Sequence, residues 1–362
     1  MDSEGKLMEQ SKKLSRPNFI IVILIVGLAA FILYIAFFVN VNQVAQTLSQ
    51  TNLLIYSSAF IAYLLYTFCS SLVWHRLLGS LQVPVTKRKA FLYTWVGLFF
   101  DATVPQLGWS AEVSKTYLLS KDSKLDSGKI GASVVGQKIF TMTITITALT
   151  VGLALLLLKY AFPLIESLFI ILILALSILT LSVVYYVSFR PYATKTLLRW
   201  AIKIVLFFKK NWNPQGFQYK AEELLGNFHK GISQIKAKPR ALIAPIIFAV
   251  LSFAFEVSVM FIAFAALGQP VPLDVVLIVF TLTGMLGTLG VSFGFPDLIM
   301  AAMLSALFID PAFAVSVTLL TRVVNLWFRL IVSYGALQWA GVKIMRQKVV
   351  IDKQAIPVNV HD

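Results

Sequence analysis

The residues that point to chemistry are ionisable side chains set in apolar surroundings. Glu112 follows a break that carries Pro105 and Gly108, and Asp297 follows one that carries Gly290 and Gly294. Lys138 stands one residue into an apolar run beside Gln137, and Arg322 stands about ten residues into another, followed by Asn325 and Arg329. Asp101 and Glu256 are two more acids in apolar stretches. Such groups at membrane depth cost roughly 2.5–3.5 kcal/mol on insertion scales, so they pair or face a cavity.

Arg322 and Arg329 are seven residues apart, on one face of an α-helix, with Asn325 between them at three/four spacing. The guanidinium fork binds two phosphate oxygens at once. These types therefore suggest a grip on a lipid phosphate by Arg322 and Arg329, helped by the positive ends of nearby helices. Lys138 and Gln137 form the equivalent grip in the other half, while Glu112 and Asp297 neutralise the arginines or meet a cationic or sugar head group. Plainer roles compete. Glu112 can pair with Lys115 at three-residue spacing, Asp297 can cap a helix after Pro296, and Arg329 can snorkel. Glu256 is either an arginine's structural partner or a proton-coupling acid, and Asp101 is open in the same way. No cofactor or metal is expected. Cys69 is the single cysteine, His75, His229 and His361 are far apart, and no Gly-x-x-x-x-Gly-Lys-Ser/Thr loop occurs.

The elements that must position these residues follow from composition. Of 362 residues 58% are hydrophobic and only 13% charged, which excludes a soluble globular protein and a disordered chain. The net charge of +15 is read as cytoplasmic loops facing anionic lipid, not as a nucleic-acid surface. Spans need about 20 apolar residues. Six stretches qualify: Phe19–Val39, Leu53–Trp74, Ile139–Leu158, Leu164–Val187, Leu242–Leu267 and Ala312–Ala340. Lysine and arginine positions place both termini in the cytoplasm of a multi-pass cell-membrane protein.

Two further apolar regions are broken by turn residues and begin and end on one side. They read as an inner re-entrant hairpin over 90–112 and an outer one over 275–309. The halves then show one order of elements in opposite orientation, an inverted-topology repeat. An offset of 185 carries Pro105 to Gly290, Glu112 to Asp297 and Gln137 to Arg322. The fold expected is all-α: six full spans plus two oppositely oriented re-entrant hairpins. Its parts are an N-terminal tail (1–18), a first repeat (19–162), a second repeat (163–342) and a C-terminal tail (343–362). The second repeat carries a basic cytoplasmic insertion (190–241), whose segment Tyr192–Lys210 reads as an amphipathic helix on the inner leaflet, with a second helix over Lys220–Ile235 packed on it.

The segment Val104-Pro105-Gln106-Leu107-Gly108-Trp109-Ser110-Ala111-Glu112-Val113-Ser114-Lys115-Thr116-Tyr117-Leu118-Leu119 resembles the Pro…Gly-Gly-Glu…Arg…Tyr-Leu-Leu segment of the lysylphosphatidylglycerol synthase transmembrane-region family, which includes UPF0104-type membrane proteins. Gly290-Val291-Ser292-Phe293-Gly294-Phe295-Pro296-Asp297 is similar to that family's second Pro-Gly-Gly-x-Gly-x-x-Glu segment, and Leu320-Thr321-Arg322 to its last span. The sequence departs from the pattern at Trp109 and Ser110, Lys115, Gly290 and Asp297. The resemblance implies a flippase or transporter of a polar-headed lipid, phospholipid or lipid-linked sugar, with membrane lipids as partners. A lipid-modifying or glycosyl-transferring enzyme is a further partner to consider. An integral-membrane transferase with Glu112 or Asp297 as general base, and a non-catalytic partner of a synthase, are the alternatives.

Overall fold

The structure, a computed structural model, describes residues 19–103, 109–123, 126–159, 164–208, 214–237, 239–287, 294–307 and 309–354. Among these every regular element is helical. Five helices are long and apolar enough to cross a membrane, and a bent pair makes a sixth.

That bent pair opens the described chain. Helix α1 (Phe19–Phe38) is apolar all round, and α2 (Val41–Ser49) leaves it at 96°. The charge-free link after the first span is thus a capped helix: the Asn40 side chain accepts the N–H groups of Asn42 and Gln43. Helix α3 (Leu53–Ser80) follows, its start capped by Asn52 in the same way. Next come two shorter helices, α4 (Lys87–Thr103) and α5 (Ser110–Ser123). The second of these runs well past 112, the expected end of the inner hairpin. Lys89, near the start of α4, pairs with Asp122, near the end of α5, at 2.8 Å.

Helix α6 (Ser127–Lys159) has 33 residues and starts well before the expected span at Ile139. The early turns are recruited by packing against the insertion. Helices α7 (Leu164–Phe189), α8 (Pro191–Phe208) and α9 (Gln215–Ala237) come next. Helix α9 docks on α6 as well as on α8. A Cβ on Gly128 would stand 2.6 Å from the Leu224 carbonyl oxygen, and one on Gly231 would stand 2.8 Å from Ala132 Cβ. Small residues on both helices thus permit the close approach.

After a 3₁₀ turn (Pro239–Leu242), α10 (Ile243–Ala266) lies antiparallel along α3. Asn52 N–H donates to the Ala266 carbonyl at 2.8 Å, and Ser252 Oγ donates to that of Tyr66 at 3.1 Å. Helices α11 (Leu273–Gly287) and α12 (Phe295–Ala306) are again short. The last span is α13 (Pro311–Arg322), a π-helical segment (Val323–Phe328) and α14 (Arg329–Gln354). Gly294 starts α12 at φ +77°, a conformation glycine adopts without penalty. The other expected turn residues, Pro105, Gly108 and Gly290, lie outside the described residues.

The two largest of five apolar clusters among the described residues hold most of these helices together. One joins α6, α10, α11, α12 and α13 through Leu149, Met260, Ile278, Leu304 and Val317. The other joins α3, α4, α5, α6 and α9 around Trp74, Tyr93, Leu119, Ile130 and Ile232. Leu54 and Leu158 are each 84% exposed, as suits side chains that face lipid in a membrane.

Candidate functional site

Each pair of short helices places an acid in the first turn of its second member. Glu112 is the third residue of α5 and Asp297 the third of α12, where the helix dipole favours negative charge. Each acid meets a base on the following long helix. Lys138 Nζ is 3.4 Å from Glu112 Oε1, and Arg322 Nε is 2.6 Å from Asp297 Oδ1. Lys138 is the twelfth residue from Ser127, and Arg322 the twelfth from Pro311. The two ion pairs therefore have the same construction.

They differ in detail. Asp297 also caps its own helix, accepting the Gly294 N–H through Oδ2 at 3.0 Å. Capping and pairing, alternatives from the sequence, are both present because the carboxylate has two oxygens. Glu112 Oε2 is buried without a hydrogen-bond partner. Lys138 lies 5.5 Å above the ring of Trp109, which gives the ammonium a second attractive surface.

Arg329 takes a third acid: its Nη1 is 3.5 Å from Asp101 Oδ2 on α4. Arg322 and Arg329 thus turn to acids on different elements. Their seven-residue spacing implies one face only in a continuous α-helix, and a six-residue π segment separates them. Asn325 lies in that segment with its Oδ1 buried and lacking a hydrogen-bond partner. Glu256 forms no ion pair among the described residues but faces the Asp101–Arg329 pair, on the wall of a cavity with Tyr66, Ser70 and Gln137.

Lys115 takes a place that its spacing from Glu112 does not suggest. It does not join Glu112; it is 6% exposed, and its Nζ donates to Gln137 Oε1 at 3.3 Å while lying 5.4 Å over Trp74. Gln137 in turn donates to the Ser70 carbonyl and hydroxyl, each at 3.0 Å. The signal was present: Ala111, Lys115 and Leu119 recur every four residues, and all three are buried.

The family model for the lysylphosphatidylglycerol synthase TM region matches residues 21–333, a stretch that contains every residue of these pairs. The chain belongs to this family. Similar proteins include a UPF0104 membrane protein of Methanocaldococcus jannaschii, 25% identical over 315 residues, which are 85% of this chain and 91% of that one. Another, from Methanothermobacter thermautotrophicus, is 23% identical over 89% of this chain and 95% of its own length. A third, from Pyrococcus horikoshii, is 20% identical over 84% and 92%. No solved structure matches. This member of the lysylphosphatidylglycerol synthase TM-region family is an integral, multi-pass membrane protein.

Proposed function

We propose that the protein moves a polar-headed lipid, a phospholipid or a lipid-linked sugar, between the leaflets of the cell membrane. The observation that carries this reading is the duplicated ion pair: Glu112 with Lys138 and Asp297 with Arg322. Each joins the first turn of a short helix to a long apolar one. An anionic lipid phosphate competes with a carboxylate for the same cationic group. When Arg322 or Lys138 turns to the phosphate, Asp297 or Glu112 is released, so each pair closes the site when empty and opens it when loaded. Asn325 Oδ1, buried without a partner, is an acceptor for a head-group hydroxyl or amine.

The inverted repeat belongs to this proposal. Shifting the first half by 185 takes the start of α4 from 87 to 272, against Leu273 in α11. It takes the start of α5 from 110 to 295, against Phe295 in α12, and that of α6 from 127 to 312, against Pro311 in α13. Re-entrance fits the short helices, since α12 with 12 residues is only about 18 Å long against a bilayer core of about 30 Å. The Lys89–Asp122 pair supports an α4–α5 hairpin that returns to its face of entry. Lys159 meets Asp274 at 2.9 Å, which supports one shared face for the end of α6 and the start of α11. With the basic insertion in the cytoplasm, that face is outside and both termini are inside.

Purified protein in vesicles tests the proposal: labelled phospholipid should cross between leaflets without any activated donor. A requirement for a donor, with a new lipid product, would instead indicate a transferase.

A further inference from the structure

Halfway along the antiparallel pair of α3 and α10 lies a small polar cavity that the lipid site does not use. Tyr66 is the fourteenth residue of α3 and Glu256 the fourteenth of α10; with Ser70, Gln137, Thr141 and Ser252 they supply its polar lining. The cavity holds about 40 Å³, room for about three waters and too small for any lipid head group.

The hydrogen bonds of this wall decide what it can hold. Ser252 Oγ spends its proton on the Tyr66 carbonyl at 3.1 Å, and Thr141 Oγ1 spends its own on the Gln137 carbonyl at 3.1 Å. Ser70 Oγ accepts from Gln137 Nε2 at 3.0 Å. The Ser252 and Thr141 hydroxyls thus turn lone pairs, not protons, toward the space, and the Tyr66 hydroxyl donates to the Glu256 carboxylate. Among the described residues the Glu256 carboxylate is not held in an ion pair. A confined set of oxygen acceptors around one carboxylate is matched by a cation.

We infer that this cavity binds a single monovalent cation, a proton or a sodium ion, on Glu256. Titratable and charged groups face Glu256 from three elements: Tyr63 and Tyr66 on α3, Asp101 on α4 and Arg329 on α14. On the cavity wall α6 contributes only neutral side chains. Gln137 belongs both to this wall and to the Lys115 contact, and it adjoins Lys138 in the chain, so occupancy of the cavity is felt at the Glu112–Lys138 pair. That last link, cation coupling, rests on the lipid-transport reading. The binding site itself does not, and the experiment reads binding alone.

The test is thermal unfolding of the full-length protein in detergent, in sodium chloride against choline chloride at equal ionic strength, from pH 6 to 8.5. A sodium site raises the wild-type Tm by several degrees in sodium at pH 8 and leaves Glu256→Gln unmoved. A proton site shows no sodium effect, and the wild type gains several degrees over Glu256→Gln as pH falls; other titrating groups such as His229 cancel in that difference. Identical responses of the two proteins to both variables overturn the inference. Ser252→Ala with Thr141→Val keeps the carboxylate and loses two oxygens, so it must weaken whichever response is seen. An unweakened response overturns the site as well, including where Glu256→Gln does not fold.

Discussion

Asp297 holds Arg322 at 2.6 Å with one carboxylate oxygen and the Gly294 N–H at 3.0 Å with the other. One side chain thus fixes the start of α12 and the charge of the last span together. Arg322→Ala strands a largely buried carboxylate, and breaking such a pair typically costs about 3–5 kcal/mol. Arg322→Ala with Asp297→Asn removes the stranded charge and keeps a capping oxygen. We expect the double variant to melt above the single one in detergent. A double variant that melts at or below Arg322→Ala would show the pair to be energetically inert.

The sequence makes the acids and bases legible, and with them an arginine partner for Asp297, but not the pairing of Glu112 with Lys138 or of Asp101 with Arg329. Spacing named Glu112, Lys138, Asp297 and Arg322, because charge in an apolar run is conspicuous. It assigned Arg322 and Arg329 a common face because a π segment leaves no periodic trace in six residues. Spacing offers Lys115 as a partner for Glu112, and only its four-residue register with Ala111 and Leu119 marks the buried face it takes. The long spans were legible from hydropathy, whereas the early start of α6 depends on glycine contacts with α9, which hydropathy does not register.

Gly128 makes that last point testable. Its added Cβ would lie 2.6 Å from a backbone oxygen of α9 and 2.8 Å from Asn227 Cβ. Gly128→Ala should therefore destabilise by about 1–3 kcal/mol, as overpacking does. Gly226→Ala, on the same helix α9 with nothing within 4 Å, should be neutral or stabilising by up to about 1 kcal/mol. Equal melting temperatures for the two variants would remove the close packing of α6 and α9 from the account.

The junction of α8 and α9 should respond to acid. His229 Nε2 is 2.6 Å from Thr194 Oγ1, and burial holds its imidazole below the ordinary value of 6.5. Between the two values the unfolded chain binds more protons, so stability falls as pH drops below about 6.5. His229→Gln should flatten that part of the curve of Tm against pH. An unchanged slope would assign the acid sensitivity to other groups.

Topology can be read with single cysteines after replacing Cys69, the only native one. Gln269→Cys, between α10 and α11, should react with an impermeant reagent supplied outside intact cells. Gln82→Cys, between α3 and α4, should react only after permeabilisation; both positions are exposed. The reverse pattern would invert the assigned orientation, and labelling of both from one side would break it.

In the proposed mechanism two ion pairs of one construction alternate between carboxylate and lipid phosphate. Its most direct measurement is the rate at which labelled phospholipid changes leaflet in vesicles holding purified protein. Glu112→Ala with Arg322→Ala should reduce the protein-dependent rate at least tenfold, while Gly226→Ala leaves it unchanged. Equal rates for the wild type and the Glu112→Ala, Arg322→Ala protein, both shown to be folded, would contradict the mechanism.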